Sequence, residues 1–484
     1  MENEAAYDLS RLASILEEKP AKVMLFIEGE VPRYDISAGH FIVFEYLKIF
    51  VKNGYQVIFW PHDRENPEPY CTQLQQMGVE IVFGRQLSFQ DFIEEFGSRI
   101  DVSILSRPDI TARYIDSISA NSVSRIIYFA HDLHFLREYR TALARANTAE
   151  AVQALTTEST ELAVMRKADA CLFFNRNEIA VLAAKAPEIK TALIPWIQNL
   201  NDRGKREFAD RRGLIFLGGF VHQPNADAVK WLHESIYPLI RKTIPDIEVN
   251  IIGGHAPPGI VALSDEHFQM LGHVKSLDEP FQQARVFIAP LRFGAGFKGK
   301  IAMAQSYGLP VVTTGIGAEG MELEDEKTAL VADSAAGFAR QVCRLYQNEE
   351  LWEQISLNSV NYVKEMLSPE QAEQGIMPVI TGAAAGGRDT RATGAQLVAA
   401  ADDGPDLELV TNSLDILSRI YLRSREEVGQ LNDFIGELQK HIEHLGRELA
   451  DRVEEIEKIH ASNSWKATKP LRAARRILSS ADKR

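Results

Sequence analysis

The feature that most limits how this chain can fold is a repeated alternation of short apolar runs with longer helix-like stretches, arranged in two series. In the first, residues 22–27 (KVMLFI), 56–60, 79–83, 101–105, 125–129, 169–173 and 191–195 read as strands, with a helical stretch at His40–Lys52 and others between most of them. The second opens at Leu214 and continues through 248–254, 268–272, 286–290, 310–314 and 328–333, closed by a long helical region, Gly337–Leu367. Apolar strands alternating with helices pack as a parallel sheet covered on both faces. Two such series predict an α/β fold of two tandem doubly wound, Rossmann-like domains, residues 1–200 and 201–378, joined through the polar stretch 198–212. Ligands of such domains bind in a cleft at the strands' carboxyl ends. In the alternative, each sheet works alone.

Beyond 378 the pattern changes. Residues 379–407 are rich in Gly, Ala and Asp and predict a flexible linker. From 408 to 460, Leu414, Leu417, Tyr421, Val428, Leu431, Ile435, Leu438, Ile442, Leu445, Leu449, Ile456 and Ile459 recur three and four residues apart, interrupted at Ser424 and Arg452. That seam predicts an α-helical coiled coil, hence a homo-oligomer or a partner coiled coil. A single amphipathic helix folded back on the globular part is the other reading. The tail 461–484 sets Lys466, Lys469, Arg472, Arg475, Arg476, Lys483 and Arg484 against one acid, Asp482, with Trp465 as an apolar anchor. It suits an anionic membrane surface, or simply stays solvated.

Charge and cysteine usage narrow the class. A net charge of −14 argues against a nucleic-acid partner. Cys71, Cys171 and Cys343 show neither metal spacing nor a disulfide framework, which fits a reducing compartment. The first twenty residues mix charges, so no signal peptide is expected, and no apolar run reaches ~18 residues. The expected location is cytoplasmic, with peripheral attachment at the inner face of a membrane.

Three stretches hold candidate chemistry. In APLRFGAGFKGK (289–300) a strand runs into a loop with Gly294, Gly296 and Gly299 interleaved with Lys298 and Lys300, and Arg292 just ahead. Glycines let backbone N–H groups approach a ligand, a helix start adds partial positive charge, and the lysines supply full charges: a diphosphate site. A tight βα turn with solvated lysines is the plain alternative. In LGGFVHQPNADAVKWL (217–232), Gly218 and Gly219 again sit between strand and helix, with His222 pointing out of the loop, although Pro and Asn there also serve to start a helix. In YFAHDLHFLREYR (128–140), His131, Asp132, His134, Arg137 and Arg140 follow a strand. Histidines there suit a sugar hydroxyl or phosphate, with a carboxylate fixing the tautomer. Capping of the next helix is the competing role, and a metal is not expected because the pair lacks a third ligand. Asp35, Ser37 and Gly39 lie in the loop after the first strand, to bind a ligand or to cap the next helix. No GxGxxG motif and no Asp-x-Asp triplet occurs, so phosphate charge falls to Lys298, Lys300, Arg292 and backbone dipoles.

Taken in order, YFAHDLH, LGGFVHQPNADAVKW, the LGHV turn (271–274), APLRFGAGFKGK and YGLPVVTTGIGAEG resemble the retaining GT-B glycosyltransferases of the family-4 type (glycosyl transferases group 1) over roughly residues 22–378. The resemblance implies an acceptor domain followed by a nucleotide-sugar domain, and metal-independent transfer with retained anomeric configuration. It implies that Gly218 and Gly219 approach the diphosphate, Lys298 binds phosphate, His131 faces the donor sugar, the backbone near Val274 meets the nucleobase, and Glu319 reaches ribose or sugar hydroxyls. Asp35, Ser37, Gly39, Asp132 and His134 fall on the acceptor side. No cofactor is expected beyond a UDP-, GDP- or dTDP-linked sugar as substrate. One departure stands out: the two glutamates the family carries eight positions apart are here Ala295 and Met303. Loss of a charged hydrogen bond costs ~1.5–3 kcal/mol, a ten- to hundredfold loss of affinity. The leading expectation is a hexosyltransferase acting on a cell-surface polysaccharide or lipid-linked glycan. Its rivals are a catalytically weak GT-B scaffold organised by the coiled coil, and a GT-B sugar-nucleotide epimerase.

Overall fold

Both series of apolar runs become strands, and in each sheet every pairing is parallel. The first sheet contains β1 (Lys22–Glu28), β2 (Tyr55–Pro61), β3 (Val79–Ile81), β4 (Val102–Ser106), β5 (Arg125–Phe129), β6 (Ala170–Phe173) and β7 (Thr191–Leu193), in the order β3-β2-β1-β4-β5-β6-β7. The second contains β8 (Leu214–Leu217), β9 (Val249–Ile252), β10 (Phe268–Gly272), β11 (Val286–Ala289), β12 (Val311–Thr313) and β13 (Leu330–Val331), in the order β10-β9-β8-β11-β12-β13. The computed structural model describes residues 9–17, 22–204 and 206–382, which lie within one unit of the chain. The coiled coil, the basic tail and nearly all of the expected linker lie outside the described residues.

The central strands are largely apolar and buried because helices cover both faces. All six residues Val23–Glu28 of β1 are buried, and Phe26 stacks on Phe59 at 5.7 Å while Phe129 meets it edge-on at 6.0 Å. Each such side chain contributes about 1.5–3 kcal/mol of burial. In each sheet the strand order reverses once, between β1 and β4 and between β8 and β11. Connections leave those neighbours in opposite directions and open a crevice at their carboxyl ends. Glu28 and Arg107 therefore flank the first crevice; Gly218, Gly219 and the 291–299 loop flank the second.

Two expectations change at the C-terminal end. The helical region expected over Gly337–Leu367 is two helices, Ala335–Gln347 and Glu349–Met366, because Asn348 caps the second by accepting the Leu351 N–H at 3.0 Å. A third helix, Pro369–Thr381, runs past the boundary expected at 378 into the first residues assigned to the linker, and ends at Gly382 with φ 69°. It continues because Ile376 and Ile380 are buried. This helix returns to the first lobe: Glu373 accepts from Lys52 Nζ at 2.6 Å and Asn53 Nδ2 at 2.9 Å, at the end of helix Ala38–Lys52. Among the described residues no helix is long and apolar enough to cross a membrane.

The loops that follow β8 and β9 are fixed by contact. A Cβ at Gly253 would overlap the Gly218 carbonyl oxygen and lie 3.1 Å from the Phe220 ring. Gly253→Ala is expected to cost about 2–3 kcal/mol, because the displaced neighbour is backbone and not a side chain that can rotate away. A urea midpoint equal to that of the wild type would contradict this contact.

Candidate functional site

The first-lobe wall of the cleft is the segment after β5. Helix His134–Arg145 begins at Leu133 with no side-chain cap of its own. Glu161, fully buried in helix Thr148–Lys167, supplies the missing acceptor, taking the N–H groups of His134 at 3.3 Å and Phe135 at 3.1 Å. Burial, reinforced by Asp132, pushes the Glu161 carboxyl up to about 8. Asp132 has the opposite fate. Burial opposes its charge, but Arg137, which donates to both its oxygens, and His134, 3.4 Å away, hold it at about 2. His134 is pulled down to about 4 by burial in spite of Asp132. It is thus a neutral ring that buttresses a charged carboxylate.

His131 points the other way, toward the first crevice. Its Nε2 lies 2.9 Å from Glu28 Oε2 at the end of β1. Glu28, 1% exposed, also accepts from Ser106, from Arg107 Nε at 2.5 Å and from the Gly29 N–H at 2.7 Å. Burial alone would raise its pKa, but Arg107 and His131 outweigh burial and hold it well below the usual carboxylate range. Arg107 reaches it from a backbone with φ 64°, a strained conformation for a non-glycine that costs about 1–3 kcal/mol.

The second-lobe wall is the glycine loop, and it rests directly on the first lobe. Gly296 has φ 73°, and a Cβ there would lie 3.0 Å from that of Asp132. Its N–H donates to Glu178 Oε1 at 2.8 Å, and the same oxygen accepts the Leu133 N–H at 3.2 Å. Arg140 donates to the Gly294 carbonyl at 2.6 Å and grips Glu319 bidentately at 2.7 Å. Phe297 stacks on Trp196 at 5.0 Å. Lys298, 6% exposed, curls back to donate to the Gly296 carbonyl at 2.7 Å; burial lowers its pKa while Glu319 resists. Lys300 donates to Asn225 Oδ1 and lies over the Phe216 ring. Desolvation and the charge of Lys298 bring it down to about 7.

The other candidate residues divide. Gly218 must be glycine, since a Cβ would lie 2.6 Å from Asn225 Cγ, whereas Gly219 borders open space. His222 starts helix Gln223–Trp231; desolvation, then Lys300 and Arg137 across the cleft, lower its pKa although one face stays exposed. Arg292 is turned aside into a bidentate pair with Asp227. Glu319 has both oxygens taken by Arg140, so its carboxylate bridges the lobes where a hydroxyl contact was expected. Val274 packs half-buried against the core after β10. Ser37 caps helix Ala38–Lys52 through the His40 N–H, Asp35 is exposed and accepts from Tyr70, and Gly39 faces His131, 3.7 Å separating its would-be Cβ from Nδ1. Met303 sits half-buried with its sulfur 3.7 Å from Gln198 Nε2 and 3.6 Å from Asn201 Nδ2.

Sequence reasoning did not single out Glu28, Arg107, Glu161 or Glu178. Glu178 alone left a signal, because Asn175-x-x-Glu178 has capping-box spacing, yet here its carboxyl leaves the cap and reaches across the cleft. Burial and Asp132 push Glu178 to about 8, so it is protonated at neutral pH. An acid with a raised folded-state pKa leaves stability intact below its ordinary 4.5 and lowers it progressively as pH rises toward 8. Glu178→Gln keeps the acceptor and should lose that component of the decline between pH 4.5 and 8. Glu178→Ala, which orphans two N–H groups, should cost about 2–4 kcal/mol at all pH. Chemical denaturation across the range reads both; an unchanged pH slope in Glu178→Gln would refute the protonated acid.

Residues 211–348 match the family model of glycosyl transferases group 1. An uncharacterized 44.6 kDa protein in the cps region of Klebsiella pneumoniae is 24% identical over 170 residues, 31% of this chain and 42% of that protein; the chain thus spans less than half the length of that relative. Among solved structures, sucrose-phosphate synthase from Thermosynechococcus elongatus superposes with a TM-score of 0.58 at 14% identity, over 75% of this chain and 98% of that one. WaaG, a glycosyltransferase involved in lipopolysaccharide biosynthesis, gives 0.52 at 14% over 74% and 100%. HepE from Anabaena, in complex with UDP and glucose, gives 0.52 at 12% over 74% and 99%. The two-lobed fold is GT-B, and it is the second lobe, over residues 211–348, that matches the glycosyl transferases group 1 model.

Proposed function

We propose that the protein is a glycosyltransferase that moves a hexose or deoxyhexose from a nucleotide diphosphate sugar to a growing cell-surface polysaccharide or lipid-linked glycan, with retention of configuration and without a metal. The carrying observation is the apposition of Gly296 to Asp132, which brings a glycine loop with two sequestered lysines against the His131 segment, beside both strand-order reversals. The family match over the second lobe and the UDP complex of HepE support the donor assignment. In this reading the departing diphosphate is stabilised by Lys298, Lys300 and the loop amides, and its oxygen takes the acceptor's proton on the same face of the sugar. His131 faces the donor sugar, Gly39 lies where that sugar meets the acceptor side, and the 408–460 heptads bring copies or partners together.

A second reading, a catalytically weak scaffold, is favoured by Met303. A thioether between two amides replaces the carboxylate that would hold ribose hydroxyls. Calorimetry separates the two: no binding of UDP-, GDP- or dTDP-sugars at millimolar concentration favours the scaffold.

Two outcomes are expected of an enzyme. Lys298→Ala should lower sugar-nucleotide turnover at least 100-fold, and unchanged turnover removes the phosphate role. Lys300, poised at about 7, gains a proton when a diphosphate arrives. Affinity should therefore be highest below pH 7 and fall above it by up to tenfold per unit. Titration calorimetry from about pH 6 to pH 9, with whichever of UDP-, GDP- or dTDP-glucose binds, should show this slope in wild type and lose it in Lys300→Arg. A flat wild-type profile excludes Lys300 from the diphosphate.

A further inference from the structure

The two oxygens of the Glu28 carboxylate do different work. Oε1 accepts from Arg107 Nε and the Gly29 N–H, two groups that can only donate. Oε2 accepts from Ser106 and faces His131 Nε2 at 2.9 Å. An ionised carboxylate has no proton to give, so the ring nitrogen facing it must be the donor. The other nitrogen, Nδ1, makes no hydrogen bond among the described residues and looks toward Gly39, at the first turn of helix Ala38–Lys52. Gly39 keeps that side open: a Cβ would stand 3.7 Å from Nδ1 and 3.9 Å from Cε1. The ring itself is held edge-on against Phe129 at 5.3 Å and is only 13% exposed.

We infer that Glu28 is a positioning residue for His131: it fixes the ring as the Nε2–H tautomer and leaves Nδ1 as a hydrogen-bond acceptor for a donor-sugar hydroxyl in the space beside Gly39. The inference rests on the transferase reading above for the identity of the hydroxyl, and on the structure alone for the tautomer. Strand order makes the arrangement possible, because β1 and β4 are neighbours at the reversal and deliver Glu28, Ser106 and Arg107 to one point. Arg107 adopts its strained backbone there and keeps Oε1 occupied.

The test uses the asymmetry of the two oxygens. In Glu28→Gln the amide carbonyl must stay toward Arg107 and Gly29, so the amide NH2 turns toward His131 Nε2 and donates to it. The ring then has to carry its proton on Nδ1, and the acceptor becomes a donor. Nitrogen-15 correlation spectra of the full chain, with the His131 signals assigned by their loss in His131→Asn, should show Nε2–H in wild type and Nδ1–H in Glu28→Gln. A wild-type ring that is Nδ1–H or doubly protonated overturns the inference, whether or not the Gln variant folds. In turnover assays Glu28→Gln should lose about 100-fold in kcat, while the Kd of the nucleotide diphosphate without its sugar stays within about twofold of wild type. Gly39→Ala should lose a similar factor without changing the tautomer. Equal kcat in wild type and Gly39→Ala overturns the hydroxyl-accepting role. A wild type that turns over none of the tested nucleotide-sugars overturns the functional reading, while the tautomer still stands or falls by its own spectra.

Discussion

The site depends on charge that bridges the lobes where little water reaches. Arg140 and Glu319 belong to different lobes, each side chain is 9% exposed, and they meet in a two-bond fork. Two ions lose several kcal/mol each on leaving water, and only close geometry with further hydrogen bonds repays it. Arg140 obtains the extra bond from the Gly294 carbonyl, so the ion pair and the shape of the glycine loop are one arrangement. Removing either charge leaves the other buried, which costs about 3–5 kcal/mol. The loop is therefore fully shaped only while the first lobe is against it.

Around that pair, burial sorts ionisable groups by their neighbours. Asp132 and Glu28 keep their charge because a guanidinium and an imidazole face each of them. Glu161 and Glu178, equally buried but faced by backbone N–H groups, hold their protons to about 8. Chemically similar side chains thus serve as anion or as neutral acceptor according to whether a cation lies within reach. On the second lobe the balance is cationic: burial lowers the pKa of Lys298, Lys300 and His222, and crowding by neighbouring cations, Arg140 for the first, Lys298 for the second and Lys300 for the third, adds to it. An arriving anion would relieve that crowding.

Much of the fold was legible because a strand buried on both faces is written as an uninterrupted apolar run. β5 matches its expected limits residue for residue and β1 differs by one; β10 matches as well, although as an edge strand it alternates buried with more exposed residues. β13 shrinks to Leu330–Val331 because apolar flanks do not guarantee a pairing partner. The break at Asn348 escaped notice since Leu351 and Trp352 carry the apolar periodicity straight across it, although Asn-Glu-Glu is an ordinary helix start. The glycine loop and His131 were readable from their place after a strand. Glu28 and Arg107 were not, because their meeting requires β1 beside β4, a fact of strand order that no local pattern encodes. Glu319 was readable as a loop acid, but its partner Arg140 lies 179 residues away on the other lobe.

The chain crosses between lobes twice, once before β8 and once into helix Pro369–Thr381, and the crossings are stitched together: the Gln198 N–H donates to the Leu367 carbonyl at 2.8 Å. A body tethered at two adjoining points keeps one easy degree of freedom, rotation about the line through the stitch, and loses sliding and free tumbling. The far ends of the lobes would sweep the widest arc in such a motion while residues beside the stitch barely move. Met303 lies at that quiet end, its sulfur against Gln198 itself. Whatever is held there is held by a nearly stationary wall, and the contact of Gly296 with Asp132 is the closing face of a jaw.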